Sequence, residues 1–581
     1  MKIISVDISN YRVLDGIKVS FDEFNNYIVG KNNVGKTCML DLLDTVLNGK
    51  DFKESDFADI NNQISINIKF KLSHEEYGVF EDNFSTEEEG ITNLSFTQVN
   101  PDEHIQVKSN DTDSMIYTGY VRSSNIVSHS SNIKPLGEND LTFVGRNYNL
   151  VPELVKKYIS SKPRQENDQS EYDNTLLEFL NTNLSKIDSF KENGISVDID
   201  SDYEKIITRS LAIRSESGID FSRLGFGIQF SSLVPLKIID KIIYWDRYNQ
   251  LDSHIVVQPN GEKVLNIILT LDEPEVHLHP NLQIQTMANI RNLLRGLDTN
   301  FNSLLKQIFD IDKIIGQSIT VTHSPKIFSA DYKEIIRFTT QSNQVLAISG
   351  SQLKLDEHES KQLKRQFPYF ADALFADGII LVEGDTEQTA IPKFAENLGF
   401  SLVAKNINVV RTDGVQSIPG LRKLLDTLNI RNVCVIDSDG KQDRKTDVSK
   451  GMYVTNLNDF EYECFESMTL FEINKYLNDY FTEIKAQEYE LNFWMKSKLC
   501  CKAIKEYNLF RSEEDVAVIV ERLLKSFNED ELLEIKCEIQ KDFIGDYLKN
   551  KSILNGGIIA SNISTIPSTY SNAISAIVHG L

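Results

Sequence analysis

Two sets of residues in this sequence have types and spacings suited to chemistry. The first is Gly30 to Thr37, GKNNVGKT, which fits the pattern G-x-x-x-x-G-K-[ST]. Backbone N–H groups of such a loop, and of the helix that follows it, converge on phosphate oxygens. Gly30, Asn32, Asn33, Gly35, Lys36 and Thr37 are therefore candidate nucleotide-binding residues, with Lys36 reaching the β- and γ-phosphates and the Thr37 hydroxyl ligating Mg²⁺. The second set is the carboxylates Glu383, Glu387, Asp437 and Asp439. Sharing a crevice, they would repel one another, by roughly 4 kcal/mol for a pair about 4 Å apart at an effective dielectric of about 20. Hard divalent cations, Mg²⁺ or Mn²⁺, relieve such repulsion. Two of them can activate water and stabilise the leaving oxygen in phosphodiester cleavage.

The flanking residues indicate what positions each set. Tyr27-Ile28-Val29 leads into the glycine loop, and Met39, Leu40, Leu42, Leu43, Val46 and Leu47 lead out at helical spacing. Val264 to Leu271 reads as a buried strand that ends in Asp272-Glu273-Pro274-Glu275. Two acids at the end of an apolar strand are costly unless a metal or partner meets them. Asp272 is expected to hold Mg²⁺ through water, and Glu273 to orient or deprotonate the attacking water. Ser318 to Val321 forms a further strand that ends in Thr322-His323-Ser324-Pro325 and places His323 to sense a γ-phosphate. His277 and His279 lack the further ligands of a zinc site. Gly225-Phe226-Gly227 precedes apolar residues at helical spacing: Leu233, Leu236, Ile239 and Ile242.

In the second half, Gly378 to Val382 is an apolar strand ending in Glu383 and a glycine turn. Ala390, Ile391, Phe394, Ala395 and Leu398 then give a helix, with Glu387 in its first turn pointing back at the strand end. Open α/β sheets bind ligands at that edge. Ile407 to Val410 is another strand, Ile418 to Leu428 a helix, and Val433 to Ile436 a strand running into Asp437-Ser438-Asp439. Residues i and i+2 of a strand face one way, so Asp437 and Asp439 are expected to face Glu383 together.

At 581 residues and 41% hydrophobic, the chain should hold several cores. We expect an ATPase domain over 1–340, carrying a helical dimerisation insertion at about 151–217, then a polar linker over 341–370 and a second α/β domain over 371–581. Residues 74–140, including Ser123 to Ser131, read as sheet edges and surface loops. The net charge of −24 argues against a simple nucleic-acid coat protein and leaves room for a local basic groove on an acidic enzyme. Lys496, Lys498 and Lys502, in a charged helical stretch over 465–550, are candidates for that groove. The six cysteines show no C-x-x-C spacing, which fits free cytosolic thiols. No apolar run approaches a membrane span, and Asp7 and Asn10 interrupt the first residues before any signal-peptide core. A cytoplasmic protein with no membrane contact is expected.

The segments NYR at 10–12, GKNNVGKT, LGFGIQ at 224–229, LTLDEPEVHLHP at 269–280 and VTHSP at 321–325 together resemble the ATP-binding-cassette heads of the structural-maintenance-of-chromosomes and RecF-like ATPases. That resemblance implies ATP held between two heads, with Gly225 and Gly227 of each reaching the other's phosphates, hence a homodimer or higher oligomer. Leu224 stands where the family has a serine before the glycine pair, which departs from the pattern. Strand-Glu-Gly-helix followed by strand-Asp-x-Asp resembles the topoisomerase–primase (TOPRIM) fold.

The two in one chain resemble the OLD (overcoming lysogenization defect) nucleases, which include the large subunit of the Gabija anti-phage systems and nucleases beside some retrons. The resemblance implies an α/β fold, an ABC/SMC-type ATPase domain with a helical insertion followed by a TOPRIM domain with helical additions. It implies an ATP-regulated, Mg²⁺- or Mn²⁺-dependent endonuclease acting on DNA first and RNA second, with an accessory helicase or retron as a candidate partner. It also implies Glu461 as a further metal ligand and Lys551 as a late lysine stabilising transition-state charge, with Lys549, Lys496 and Lys498 as competitors. Two other readings stand beside it. A RecF-like repair clamp has no need of the Asp-x-Asp crevice, and an effector that cuts RNA would use the metal site equally well.

Overall fold

The computed structural model describes residues 1–80, 88–116, 126–130, 154, 169–198, 212–276, 278–328, 331–342, 344–412, 414–441, 443–485, 488–506, 515–546 and 553–580. It is a mixed α/β chain that divides into two compact units, Met1–Gln352 and Leu353–Leu581.

The first unit contains two main sheets. One is antiparallel, in the order β2 (Lys18–Ser20), β1 (Lys2–Ser9), β4 (Ile64–Lys71), β5 (Ile91–Gln98), β6 (Gln106–Ser109), β7 (Met115–Ile116). In β4 the alternating Ile64, Ile66, Ile68 and Phe70 are buried, as the period-2 pattern predicts. The other runs β11 (Ile255–Val257), β12 (Lys263–Asp272), β13 (Lys313–Val321), β3 (Asn25–Gly30), β14 (Ile335–Gln341), β15 (Gln344–Ser349), and β8 (Ile126–Ser130) lies parallel to the carboxyl half of β12. Strands β12, β13, β3 and β14 are parallel. Every residue of β3 is buried, which accounts for its unbroken run of poorly exposed positions. The longer helices among the described residues of this unit are α1 (Lys36–Leu47), α2 (Gln169–Leu184), α3 (Asp188–Glu192), α4 (Phe226–Arg247), α5 (Pro280–Leu294) and α6 (Thr299–Phe309), with a single turn at Leu251–His254. Ile28, Ile268, Ile319 and Phe338 from the parallel sheet share one core with Val6, Ile66 and Phe96 from the antiparallel one.

Ile126–Ser130 is a sheet-edge strand paired with β12, with Ile126 and Val127 buried, in keeping with the sheet edges expected over 74–140. Two other expectations are corrected. Between 151 and 217 the described residues form α2, α3 and an antiparallel hairpin of β9 (Ile195–Asp198) with β10 (Ala212–Ser215), so the insertion is not wholly helical. Residues 341–370 are not a linker. Strand β15 completes the first unit's sheet, and α7 (Glu357–Phe370) opens the second unit with a capping box between Asp356 and Glu359. The polar composition belongs to a helix that buries a narrow face of Leu363, Gln366, Phe367 and Phe370.

The second unit is built on a parallel sheet in the order β17 (Ile407–Arg411), β16 (Gly378–Val382), β18 (Arg431–Ile436), β19 (Met452–Val454). Helices α8 (Asp385–Asn397), α9 (Ile418–Thr427), α10 (Phe460–Ser467), α11 (Leu470–Glu483), α12 (Glu488–Trp494), α13 (Lys498–Glu506), α14 (Val516–Leu524), α15 (Glu529–Asp546), α16 (Ile553–Asn562) and α17 (Ser568–His579) surround it. Phe394, Phe460 and Tyr570, from α8, α10 and α17, meet ring to ring at centroid distances of 5.3 to 6.1 Å. Helix α16 crosses α8 so closely that a Cβ at Gly556 would overlap the Thr386 carbonyl oxygen, beside Glu387. Gly556→Ala should therefore destabilise the protein by about 1–3 kcal/mol, read as a lowered melting temperature. Gly557→Ala, whose Cβ would meet only Thr389 Cγ2 at 3.6 Å, should be neutral or mildly stabilising. Equal losses in both variants would refute the close crossing.

Candidate functional site

Strand β3 delivers the glycine loop to the start of α1, and β12 and β13 end beside it on the same sheet. The loop turns through left-handed backbone at Asn33 (φ 66°) and Gly35 (φ 89°), the kind of alternation that forms anion-binding nests. Gly30 is buried, and Asn32 and Asn33 are exposed. Lys36 is buried, and its Nζ donates to the carbonyls of Gly30 (2.9 Å) and Lys31 (2.6 Å). Burial lowers the Lys36 pKa, while the charges of Glu273 and Asp272 oppose that shift. Thr37 Oγ1 donates to Asp272 Oδ1 at 3.4 Å. Burial, and then the charge of Glu273, raise the Asp272 pKa.

Glu273 follows the strand with φ at +48°, a strained position for a non-glycine residue, and its Oε1 lies 3.5 Å from His323 Nε2. Burial and the charge of Lys36 hold His323 below its ordinary pKa, so the ring is neutral at pH 7. The structure thus brings Lys36, Thr37, Asp272, Glu273 and His323 together. Gly225 is exposed at the N-cap of α4, Gly227 lies in its first turn, and a Cβ on Gly225 would meet no atom within 4 Å.

Sequence reading missed Glu275. It is buried, and its Oε1 accepts from Thr322 Oγ1 (2.8 Å) and the His323 N–H (2.7 Å), tying the end of β13 to the end of β12. Its signal was present as the third acid of Asp272-Glu273-Pro274-Glu275. Arg12 of the NYR segment pairs with Asp56 at 2.7 Å and with Asp41 of α1 at 2.8 Å, anchoring that segment beside the loop helix. His279 caps α5 by accepting from the Asn281 N–H at 3.4 Å, a structural role.

The second set of carboxylates gathers at the carboxyl edge of β16 and β18. Glu383 follows β16 directly, and its Oε1 accepts from the Asp437 backbone N–H at 2.9 Å. Burial raises the Glu383 pKa, and the charges of Asp437 and Asp439 raise it further, against the Asp437 N–H and Arg444. Strand alternation does not explain the Asp pair, which is a correction. β18 stops at Ile436, and Asp439 sits in a loop with φ at +49°. Asp437 is buried, and its Oδ1 accepts from the Phe460 N–H at 3.1 Å. The Asp439 side chain is 46% exposed.

Glu387 is buried in the first turn of α8, folded back so that a Cβ on Gly384 would stand 2.8 Å from its Oε2. Glu461 is buried in the first turn of α10. Glu461, Glu463 and Glu387 lie near enough to Cys464 that their charges add to burial in pushing its thiol pKa up. Glu463, another residue missed in the sequence, accepts from the Asn456 N–H and from Thr569 Oγ1, fixing the loop ahead of α10 to α17. Lys551 and Lys549 lie outside the described residues. Of the three lysines of the expected basic groove, Lys498 stands 4.0 Å from Glu538 and Lys502 3.9 Å from Glu506.

The oxygens of Glu383, Asp437 and Asp439 suit a hard divalent cation in kind. They are not drawn together as a finished site: among the described residues no group of three or more His, Cys, Asp or Glu is placed to hold an ion. Arg444 stands among them instead.

Residues 374–439 match the family described as "Overcoming lysogenization defect protein-like, TOPRIM domain", and residues 1–134 and 122–328 match "AAA ATPase domain". The chain belongs to the AAA ATPase domain family, whose model spans more than half of it, and it also carries an OLD-like TOPRIM segment. The chain is 23% identical over 563 residues to "Endonuclease GajA" of Bacillus cereus (strain VD045), covering 83% of this chain and 88% of that protein. It is 24% identical over 227 residues to "Old nuclease" of Escherichia phage P2, covering 38% of this chain and 34% of that one. The C-terminal region of the Burkholderia pseudomallei OLD protein aligns with 35% of this chain and 97% of that chain, at 22% identity and a TM-score of 0.21. Both clusters lie within matched segments, while Arg444, Glu461 and Lys551 follow the TOPRIM match.

The contacts of Lys36 generate a direct expectation. Its ammonium rests on loop carbonyls and would move to phosphate oxygens. Lys36→Ala should weaken ATP binding at least about tenfold, the scale of one charge-assisted hydrogen bond, in a fluorescent-nucleotide titration. Unchanged affinity would place the nucleotide elsewhere.

Proposed function

We propose that this chain is an ATP-regulated, divalent-metal-dependent endonuclease that cleaves nucleic acid, DNA before RNA, in defence against phage. The observation that carries this reading is the meeting of Glu383 with Asp437 and Asp439 at the carboxyl edge of adjacent parallel strands, inside the TOPRIM match. The names of the relatives, endonuclease and nuclease, support the reaction class. Glu383, Asp437 and Asp439 would hold Mg²⁺ or Mn²⁺, which when bound supplies Lewis-acid charge for phosphodiester hydrolysis. Glu387 and Glu461, each buried in the first turn of its helix, would complete the ligand set. Lys551 is the proposed source of positive charge for the transition state.

The nucleotide site would control this chemistry and not perform it. Gly30, Asn32, Asn33, Gly35, Lys36 and Thr37 would bind ATP and Asp272 its Mg²⁺. Glu273 would orient the attacking water, with His323 beside it as the γ-phosphate sensor. The open, exposed start of α4 supports a homodimer in which Gly225 and Gly227 reach the other copy's nucleotide.

The test is incubation of the purified chain with DNA and RNA, single-stranded and duplex, with Mg²⁺ or Mn²⁺, with and without ATP. Asp437→Asn should lose at least about a hundredfold in cleavage while binding nucleotide as the unaltered chain does. Equal cleavage by that variant would reject the site. Cleavage of RNA alone would reassign the substrate class.

A further inference from the structure

The carboxylates of the crevice are answered by a cation from the chain itself. Arg444, in the loop between β18 and β19, donates from Nη1 to the Asp437 carbonyl at 2.6 Å and to Asp439 Oδ2 at 2.8 Å. The same nitrogen lies 3.9 Å from Glu383 Oε1. Its side chain is only 18% exposed, so the guanidinium has given up most of its water to stand there. Lys441 of the same loop reaches Asp439 at 3.5 Å from the solvent side. One nitrogen thus touches a backbone oxygen and one carboxylate and approaches a second, where a divalent cation shared by Glu383, Asp437 and Asp439 would have to sit.

We propose that Arg444 is a built-in counter-ion: it holds the cation position of the crevice in the metal-free protein, and it and the metal exclude one another. The inference rests on reading the crevice as a metal site. A metal that takes Asp439 Oδ2 and Glu383 Oε1 must displace the Arg444 nitrogen that lies 2.8 Å from the first and 3.9 Å from the second. This also explains why the donor oxygens are not already converged. The guanidinium hydrogen-bonds one carboxylate, Asp439, and the Asp437 carbonyl, and does not draw several carboxylate oxygens inward as direct ligation of a compact ion would. Once displaced, Arg444 remains on a loop at the crevice mouth, where it would meet the phosphate backbone of a bound strand.

A merely structural salt bridge would lower stability when lost and leave metal affinity alone or weaken it. A counter-ion predicts the opposite sign. The experiment is Mn²⁺ binding by electron paramagnetic resonance on the full chain, for the unaltered protein, Arg444→Gln, Arg444→Met and Asp437→Asn, each checked by thermal melting in EDTA. Arg444→Gln should bind Mn²⁺ about tenfold more tightly than the unaltered protein, within the usual range of coupling between mutually exclusive ligands. Asp437→Asn should bind it more weakly. Equal or weaker binding by a folded Arg444→Gln overturns the counter-ion. If that variant does not fold, Arg444→Met, which also removes the charge, decides by the same sign: tighter binding supports the counter-ion, and unchanged or weaker binding overturns it. No Mn²⁺ binding by any of the four overturns the metal reading and the counter-ion with it.

Discussion

Carboxylates placed at the carboxyl end of a buried parallel strand repel one another and lose solvation at once. Both units of this chain face that problem, Asp272-Glu273 at the end of β12 and Glu383 with Asp437 at the ends of β16 and β18. Both answer it with a buried or half-buried cation from a nearby loop or helix start. Lys36 lies within the field of Asp272 and Glu273, and Arg444 within that of Glu383 and Asp439. Burial pushes the Asp272 and Glu383 carboxyls toward the neutral form, and the charges of Lys36 and Arg444 oppose that shift. The acids and their counter-ions therefore form one electrostatic unit at each edge, and the surrounding elements serve to hold it.

That arrangement has a functional consequence. Neither site is an empty cradle. Lys36 is engaged with the carbonyls of Gly30 and Lys31, and Arg444 with the carbonyl of Asp437. Ligands enter by replacing internal contacts, so the free energy of each exchange is smaller than that of the new contacts alone. Sites of this kind are readily tuned, since a change in the internal partner shifts affinity without touching the ligand. In the ATPase unit, Glu275 adds rigidity by joining the ends of β12 and β13, so that Glu273 and His323 keep their distance. In the second unit Glu463 plays the corresponding part for the loop ahead of α10.

What could be read from the sequence was whatever is local. The strand, glycine loop and helix around Lys36, the buried strand before Asp272, and the strand-Glu-Gly-helix around Glu383 each lie within one short stretch whose burial pattern declares itself. The errors came where tertiary partners decide. The polar 357–370 segment is a helix because four residues find a core. Asp437 and Asp439 do meet the field of Glu383, but through a left-handed loop and not through strand alternation. Arg444 gave no signal at all. It sits in an ordinary basic run after Gly440, and only the return of that loop over the sheet edge brings it to the acids.

On the proposed function the two charged edges divide the labour, one controlling and the other cutting. Phosphate release from ATP and nucleic-acid cleavage, followed side by side on the same preparations of Glu273→Gln and Glu383→Gln, test that division. Glu383→Gln should lose cleavage and release phosphate normally. Glu273→Gln should lose phosphate release and still cleave, with metal, in at least one nucleotide condition. Cleavage retained by Glu383→Gln, or both activities lost together in Glu383→Gln while the protein stays folded, would contradict it.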